Sequence, residues 1–217
     1  MNRRGFFSNI KSVFSSRREG DPFFFGIQCV VNIYGEDELR STLHNILSSE
    51  NYSESPIEKF QFYKRIASVL RQNIPFIDYG FWDYLTDPDD AASEFNAWVS
   101  EVQASMATEV EEVGSELDEE FRLSAEKCYV VVTMAFVLEY SSAQASFIGQ
   151  VESIEENDFY SQIGFQKLID AIPYIDFEYS LGDAVFIMPG NAEDGFSWTD
   201  MRGEGWEYLQ PIMGTIS

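Results

Sequence analysis

Two stretches of the chain are apolar almost without interruption. Phe23–Tyr34 is aromatic and β-branched and stops at Gly35, and Cys128–Leu138 is apolar at nearly every position. Aromatic and β-branched residues of this kind form strands, and a continuous apolar run such as the second fits a strand covered on both faces. Both are therefore predicted as strands, the second as a central one. Between them the pattern changes to helical spacing. In Glu36–Glu50, Leu39, Leu43, Ile46 and Leu47 share one face. Ser55-Pro56-Ile57-Glu58 reads as a helix start: Ser55 can cap, Pro56 suits the first turn and Glu58 can reach back to complete a capping box. The helix that follows runs to about Gln72. Its Phe60, Phe62, Tyr63, Ile66, Val69 and Leu70 wrap more than one face, which predicts extensive burial. Pro75 closes it, and the aromatic stretch Phe76–Leu85 reads as a loop or short strand.

The longest helix starts at Asp89 or Asp90 and runs to Phe121. Phe95, Val99, Val102, Met106, Val110, Val113, Leu117 and Phe121 form its apolar stripe, with Gly114-Ser115 as a place to kink. Glu94, Glu101, Glu109, Glu112, Glu116 and Glu119 form the other face, and no Lys or Arg lies between Arg71 and Arg122. After the second strand, Asn157 or Asp158 opens a helix to Ile172, ended by Pro173. Ala184–Met188 reads as the last strand, with Phe177–Leu181 as its extension or as a neighbour across a bulge at Gly182. The Gly-rich end, with Trp198, Trp206 and Tyr208, has room for a short helix near Thr199–Met201 or 204–209. Strands separated by helix pairs rather than by single crossover helices predict an α+β fold: a small, mostly antiparallel sheet covered by several helices.

A chain of 217 residues fits one domain and buries about 70% of the surface its unfolded form exposes, so no disulfide or metal staple is needed. The 19 Phe and 11 Tyr supply a large core. Charge divides the chain in two. Residues 1–20 hold Arg3, Arg4, Lys11, Arg17 and Arg18 against Glu19 alone, a net of +4, and the remaining nine basic and 36 acidic residues leave 21–217 at −27. The expected organisation is a basic, flexible or amphipathic arm, 1–20, and a single acidic domain, 21–217. A body this acidic repels phosphate backbones, which disfavours nucleic acid and suits a basic protein partner, divalent cations or simple solubility. In the arm, Phe6, Phe7, Ile10, Val13 and Phe14 cluster on one side if the segment is helical, the composition of an amphipathic surface helix. Cys29 and Cys128 both lie in apolar runs and are expected as free thiols, a disulfide being the sharper alternative. No run of about 18 apolar residues is present, and Met1–Gly20 lacks the h-region of a secretory signal. The expectation is a cytoplasmic protein without a transmembrane segment, with weak peripheral membrane contact through the arm as an alternative.

The chain also resembles a known family. Ile27–Tyr34 with the Glu38–Leu47 helix, Ile66–Arg71 followed by Tyr79–Tyr84, the helix around Ala92–Val99, Glu126–Thr133 and Val185–Pro189 come in the order of the family catalogued as domain of unknown function fifteen-seventeen, over about residues 25–213. The family's usual Trp-Thr-Pro after the last strand stands here as Ile187-Met188-Pro189, and the long hydrophobic segment that many members carry upstream is missing. The resemblance implies a fold and an order of elements; the family has no established activity to carry over.

The candidate chemistry is sparse. His44, the one histidine, aligns with Arg40 and Ser48 off the apolar stripe of its helix and is expected to face solvent. One histidine and two isolated cysteines support no His/Cys zinc site and no di-iron bundle. No Gly-x-Ser-x-Gly elbow, Walker loop or dinucleotide fingerprint occurs, and Gly203-Glu204-Gly205 reads as a turn. No cofactor and no metal is expected. Asp87-Pro88-Asp89-Asp90 and Asn191–Asp194 are acidic loops without EF-hand spacing. Asp78 and Asp83, set among Tyr79, Phe81, Trp82 and Tyr84, are the best carboxylate pair: they suit acid/base work in an aromatic pocket, or else a packed loop with solvated carboxylates.

Three functions follow from this reading. The first is a non-catalytic acidic interaction or adaptor protein that presents Glu94, Glu101, Glu109, Glu112, Glu116 and Glu119 to a basic partner. The second is a carboxylate-dependent hydrolase with Asp78, Tyr79, Trp82 and Asp83 in its pocket. The third is an acidic inhibitor or immunity protein that blocks a basic site on another protein.

Overall fold

The computed structural model describes residues 18–33, 38–49, 55–113, 128–190, 195–203 and 205–214. The chain forms a five-stranded antiparallel sheet with helices packed on it, an α+β fold. β1 (Pro22–Asn32) runs beside β3 (Tyr129–Glu139) along its whole length, and β2 (Ile77–Leu85) pairs with its other side. β4 (Ser180–Met188) adds to β3, and the two-residue β5 (Gln210–Pro211) to β2, giving the order β4-β3-β1-β2-β5. The two apolar runs are thus adjacent interior strands. Both are buried at almost every position because both faces of the sheet are covered.

On the first face, Phe25, Ile27 and Cys29 of β1 and Val132, Met134 and Phe136 of β3 meet α1 (Glu38–Ser49), α2 (Pro56–Gln72), α4 (Ala145–Glu152) and α5 (Gln162–Ala171) in the main core. On the second face, α3 (Pro88–Val113) lies across β1 and β3. There Trp98 packs on Phe24, with ring centroids 5.5 Å apart, and on Phe81 at 5.8 Å. Gly26 of β1 makes room for that ring, since a Cβ at residue 26 would stand 2.9 Å from it. The rest of this face is closed by Phe196, Met201 and Leu209 of the C-terminal segment.

Several expectations change. Where a loop or short strand was expected over Phe76–Leu85, Ile77–Leu85 is a full strand, preceded by a 3₁₀ turn at Ile74–Phe76. Its pairing shifts register between Val30 and Val31, so Asp78 is an extra residue in a bulge. Gly80, opposite Cys29, lets the Phe165 ring lie directly on the strand: an added Cβ would be 2.4 Å from it. α4 has no counterpart in the sequence reading. Along α3 the stripe turns on Ala91, Trp98 and Val102, which are buried, whereas Val99 is only half-buried. Residues 114–121, expected from the sequence as a continuation with Gly114-Ser115 as a place to kink, lie outside the described residues. Ser55 stands at the N-cap of α2 but its side chain makes no capping bond, so the capping box does not form, while Pro56 does occupy the first turn. Arg40 is fully buried and His44 half-buried, against the expected solvent-facing row. Arg40 lies one turn before Leu43 and so shares its buried side of the helix. Cys29 is buried, Cys128 partly exposed, and both are free thiols.

Candidate functional site

The Asp78–Asp83 cluster is taken apart by the strand that carries it. The Asp78 carboxylate accepts hydrogen bonds from Asn32 Nδ2 at 2.8 Å and from the Tyr129 hydroxyl at 3.0 Å. Burial, and then the hydrogen bond to Asp78, push the Tyr129 phenol well above its ordinary range, so it remains a donor. Asp83 instead accepts from the Tyr84 backbone at 2.8 Å. The two stand five positions apart along the strand, about 16 Å at the usual rise, against the ~5–10 Å that paired glycosidase carboxylates need. The aromatic members part as well. Tyr79 packs on Trp198, 5.4 Å between rings, and belongs to the second face. Trp82 is buried in the main core and donates Nε1 to the Phe159 carbonyl at 2.9 Å.

The acidic helix face is described in part. Glu94 is half-buried and accepts a hydrogen bond from Trp98 Nε1 at 3.0 Å, which ties it to its own helix; Glu101 is half-buried one helical repeat further on. Glu109 and Glu112 fall within the span of α3, and Glu116 and Glu119 lie outside the described residues. Of the two acidic loops, Asp87 uses Oδ1 to accept the Asp89 N–H at 3.0 Å and so opens α3, while 191–194 lies outside the described residues. Among the described residues, no group of three or more His, Cys, Asp and Glu side chains gathers as a metal site.

A groove that the sequence reading did not single out is the better candidate. It is a shallow, largely open groove of about 470 Å³ between the first turn of α2, the start of α4 and the paired 3₁₀ turns Ile172–Tyr174 and Phe177–Tyr179. Pro56, Ile57, Phe60, Pro173, Tyr174 and Phe177 make it apolar, and Asp176 and Glu178 stand on the same wall. Ile57 and Tyr174 leave 74% and 51% of their surface open.

The wall is built rigidly. Gln144, fully buried, donates Nε2 to the Asp176 carbonyl at 2.9 Å and accepts the Asp176 N–H at 3.1 Å, so one side chain clamps both backbone groups. Asp176 in turn accepts the Glu178 N–H at 3.0 Å. Phe177 stacks on Tyr63, 5.2 Å between centroids and 9° between planes, which fixes the floor to α2. Lys64 reaches over the Phe60 ring at 5.4 Å and is a cation beside the groove.

Behind the floor lies a buried polar contact. Asp183 of β4, its side chain 1% exposed, pairs with Lys59 Nζ and accepts a hydrogen bond from the Tyr63 hydroxyl at 3.0 Å. Burial raises the Asp183 carboxyl to about 6, against the pull of the neighbouring ammonium. The folded state holds this proton at a pH where the unfolded chain has released it, so Asp183 adds stability as pH falls from about 6 towards its ordinary value near 4. The stability difference between Asp183→Asn and wild type is therefore expected to shift against the variant as pH falls from 7 to 4. Urea titrations of both proteins across that range check it. A difference that does not change with pH would show that Asp183 titrates normally.

Local spacing could not have revealed the groove, because its residues come from separate elements far apart in the sequence. The one available signal is α2 itself: an apolar pattern that wraps more than one face leaves Phe60 half-buried at the groove edge instead of burying the helix throughout. No helix among the described residues is long and apolar enough to cross a membrane. Compared with known proteins, the chain matches no family model, no curated protein and no solved structure.

Proposed function

We propose that the protein is a non-catalytic acidic interaction protein, and that the groove between α2, α4 and the 3₁₀ turns is where it holds a segment of a basic partner. The observation that carries this reading is the chemistry of the groove. It has an apolar floor with open Ile57 and Tyr174, two carboxylates on one wall and a backbone clamped by Gln144. A segment that alternates aromatic or aliphatic side chains with cations satisfies both parts at once. The net charge of −23 supports a role in encounter, because a one-signed surface speeds association with a basic partner more than it tightens the final complex. An inhibitor that blocks a basic site on another protein is the same reading with an enzyme as partner.

Fluorescence anisotropy with a labelled peptide of alternating Arg and Phe, beside a Glu and Phe counterpart, tests the proposal. Binding is expected for the first peptide only. Tyr174→Ala should weaken it about tenfold or more, as truncation of a central aromatic contact does. Added salt should slow association. Equal binding to wild type, Ile57→Ser and Tyr174→Ala would take the groove out of the interface.

A further inference from the structure

We infer that the chain's own basic arm, residues 1–17, occupies this groove in the isolated protein and must be displaced before a partner can enter. The inference rests on the groove reading above and adds its occupant. The arm leaves the described body beside the groove. The Gly20 N–H donates to the Tyr140 carbonyl at 2.9 Å, and the Tyr140 N–H donates to the Asp21 carbonyl at 2.8 Å. Arg18 is held just before this point by its N–H on the Asp21 carboxylate at 2.8 Å. Ala143, three residues after Tyr140, lines the groove.

Reach is sufficient. From Arg18 through Gly20 and across to Tyr140 and Ala143 the path is at most about 24 Å, at roughly 3.3–3.6 Å per extended residue and about 5.5 Å across the strand pair. The eight residues from Arg18 back to Ile10 span about 26–29 Å, so Ile10 can arrive at the Ala143 edge while Arg18 stays in place, with Phe14 and Val13 on the way and Phe7 and Phe6 further along.

The chemistry matches too. The arm combines Phe6, Phe7, Ile10, Val13 and Phe14 with Arg3, Arg4 and Lys11, the aromatic and cationic mixture that the floor and the carboxylates Asp176 and Glu178 call for. A tethered segment acts at an effective concentration in the millimolar range, so even a weak intrinsic affinity suffices to hold it. The rival destination, an anionic membrane surface, attracts the four positive charges of the arm but repels the −27 of the body that follows it.

The test uses the full chain. Amide hydrogen exchange of residues 1–17 is followed in wild type and Tyr174→Ala. Binding of a synthetic peptide of residues 1–17 is then measured to wild type and to full-length Phe7→Ser/Phe14→Ser. The expected results are protection of the arm in wild type that Tyr174→Ala removes, and peptide binding about tenfold tighter to the arm variant, because its groove is no longer occupied. Free-rate exchange of the arm, with the peptide binding both proteins equally, would overturn the inference and leave the groove reading standing. Binding to neither protein would overturn both. Protection that persists in Tyr174→Ala, or that appears only with vesicles containing phosphatidylserine, would place the arm elsewhere and overturn the inference.

Discussion

Val131→Asp is expected to leave no cooperatively folded protein at neutral pH. Val131 is fully buried in β3, paired with Val30 on one side and Met188 on the other. Its cluster on the second face also takes in Val102 of α3, Phe196 and Met201, and none of these carries a charge. A carboxylate there loses its hydration with no cation to compensate, and holding it protonated instead lifts its pKa at the expense of stability. Losses of this kind exceed ~4 kcal/mol, against a total stability on the order of 5–15 kcal/mol. A circular dichroism melt checks it: the variant should show no sharp transition. Leu181→Asp is the control. It introduces the same charge in neighbouring β4, where Leu181 is 56% exposed, and should change stability by less than about 0.5 kcal/mol. A Val131→Asp protein that melts close to wild type would mean that β3 is not an interior strand.

The parts that could be read from the sequence are those in which a single element carries its own signal. β1 and β3 show two-sided burial as unbroken apolar runs, and the order of strands and helices suffices for an α+β sheet. β2 is harder to see because it carries aromatic residues on both faces and has a bulge at Asp78, so neither alternation nor a continuous run survives. α3 is readable as a helix but not in rotation. Its buried centre is Trp98, and what admits that ring is Gly26, a residue on a different element. Arg40 was unreadable for a related reason: a cation is taken for a surface residue unless its surroundings are known.

Function separates along the same line. Asp78 and Asp83 are neighbours in the sequence, yet the pleat and the bulge give them different partners. Ile57, Gln144, Tyr174 and Asp176 are far apart in the sequence, and chain reversals bring them to one groove. The proposed recognition of a basic partner rests instead on residue type, an acidic body with a basic aromatic arm, and on the groove as its place.

Gly164→Ala is expected to destabilise the protein by about 2–4 kcal/mol, although the substitution raises helix propensity. Gly164 is the third residue of α5, and Ala in place of Gly within a helix is ordinarily favourable by up to about 1 kcal/mol. Here the space is already taken. A Cβ at residue 164 would stand 1.9 Å from the Asp158 carbonyl oxygen, which is backbone and cannot swing aside as a side chain would. The same oxygen accepts the Ser161 N–H and the Ser161 hydroxyl, both at 3.1 Å. Ser161 is the N-cap of α5, its hydroxyl accepting the Gly164 N–H at 3.1 Å. Moving the carbonyl therefore disturbs the cap, worth about 1 kcal/mol, in addition to the roughly 1–3 kcal/mol of forced overpacking. In a domain of this size that lowers the melting temperature by about 5–15 °C. Gly149→Ala isolates the propensity term. Gly149 lies in α4 with no atom within 4 Å of its would-be Cβ, so its replacement should stabilise slightly. Calorimetry of the two variants side by side should give opposite signs. If Gly164→Ala matched Gly149→Ala, the Asp158 carbonyl could not lie against the start of α5.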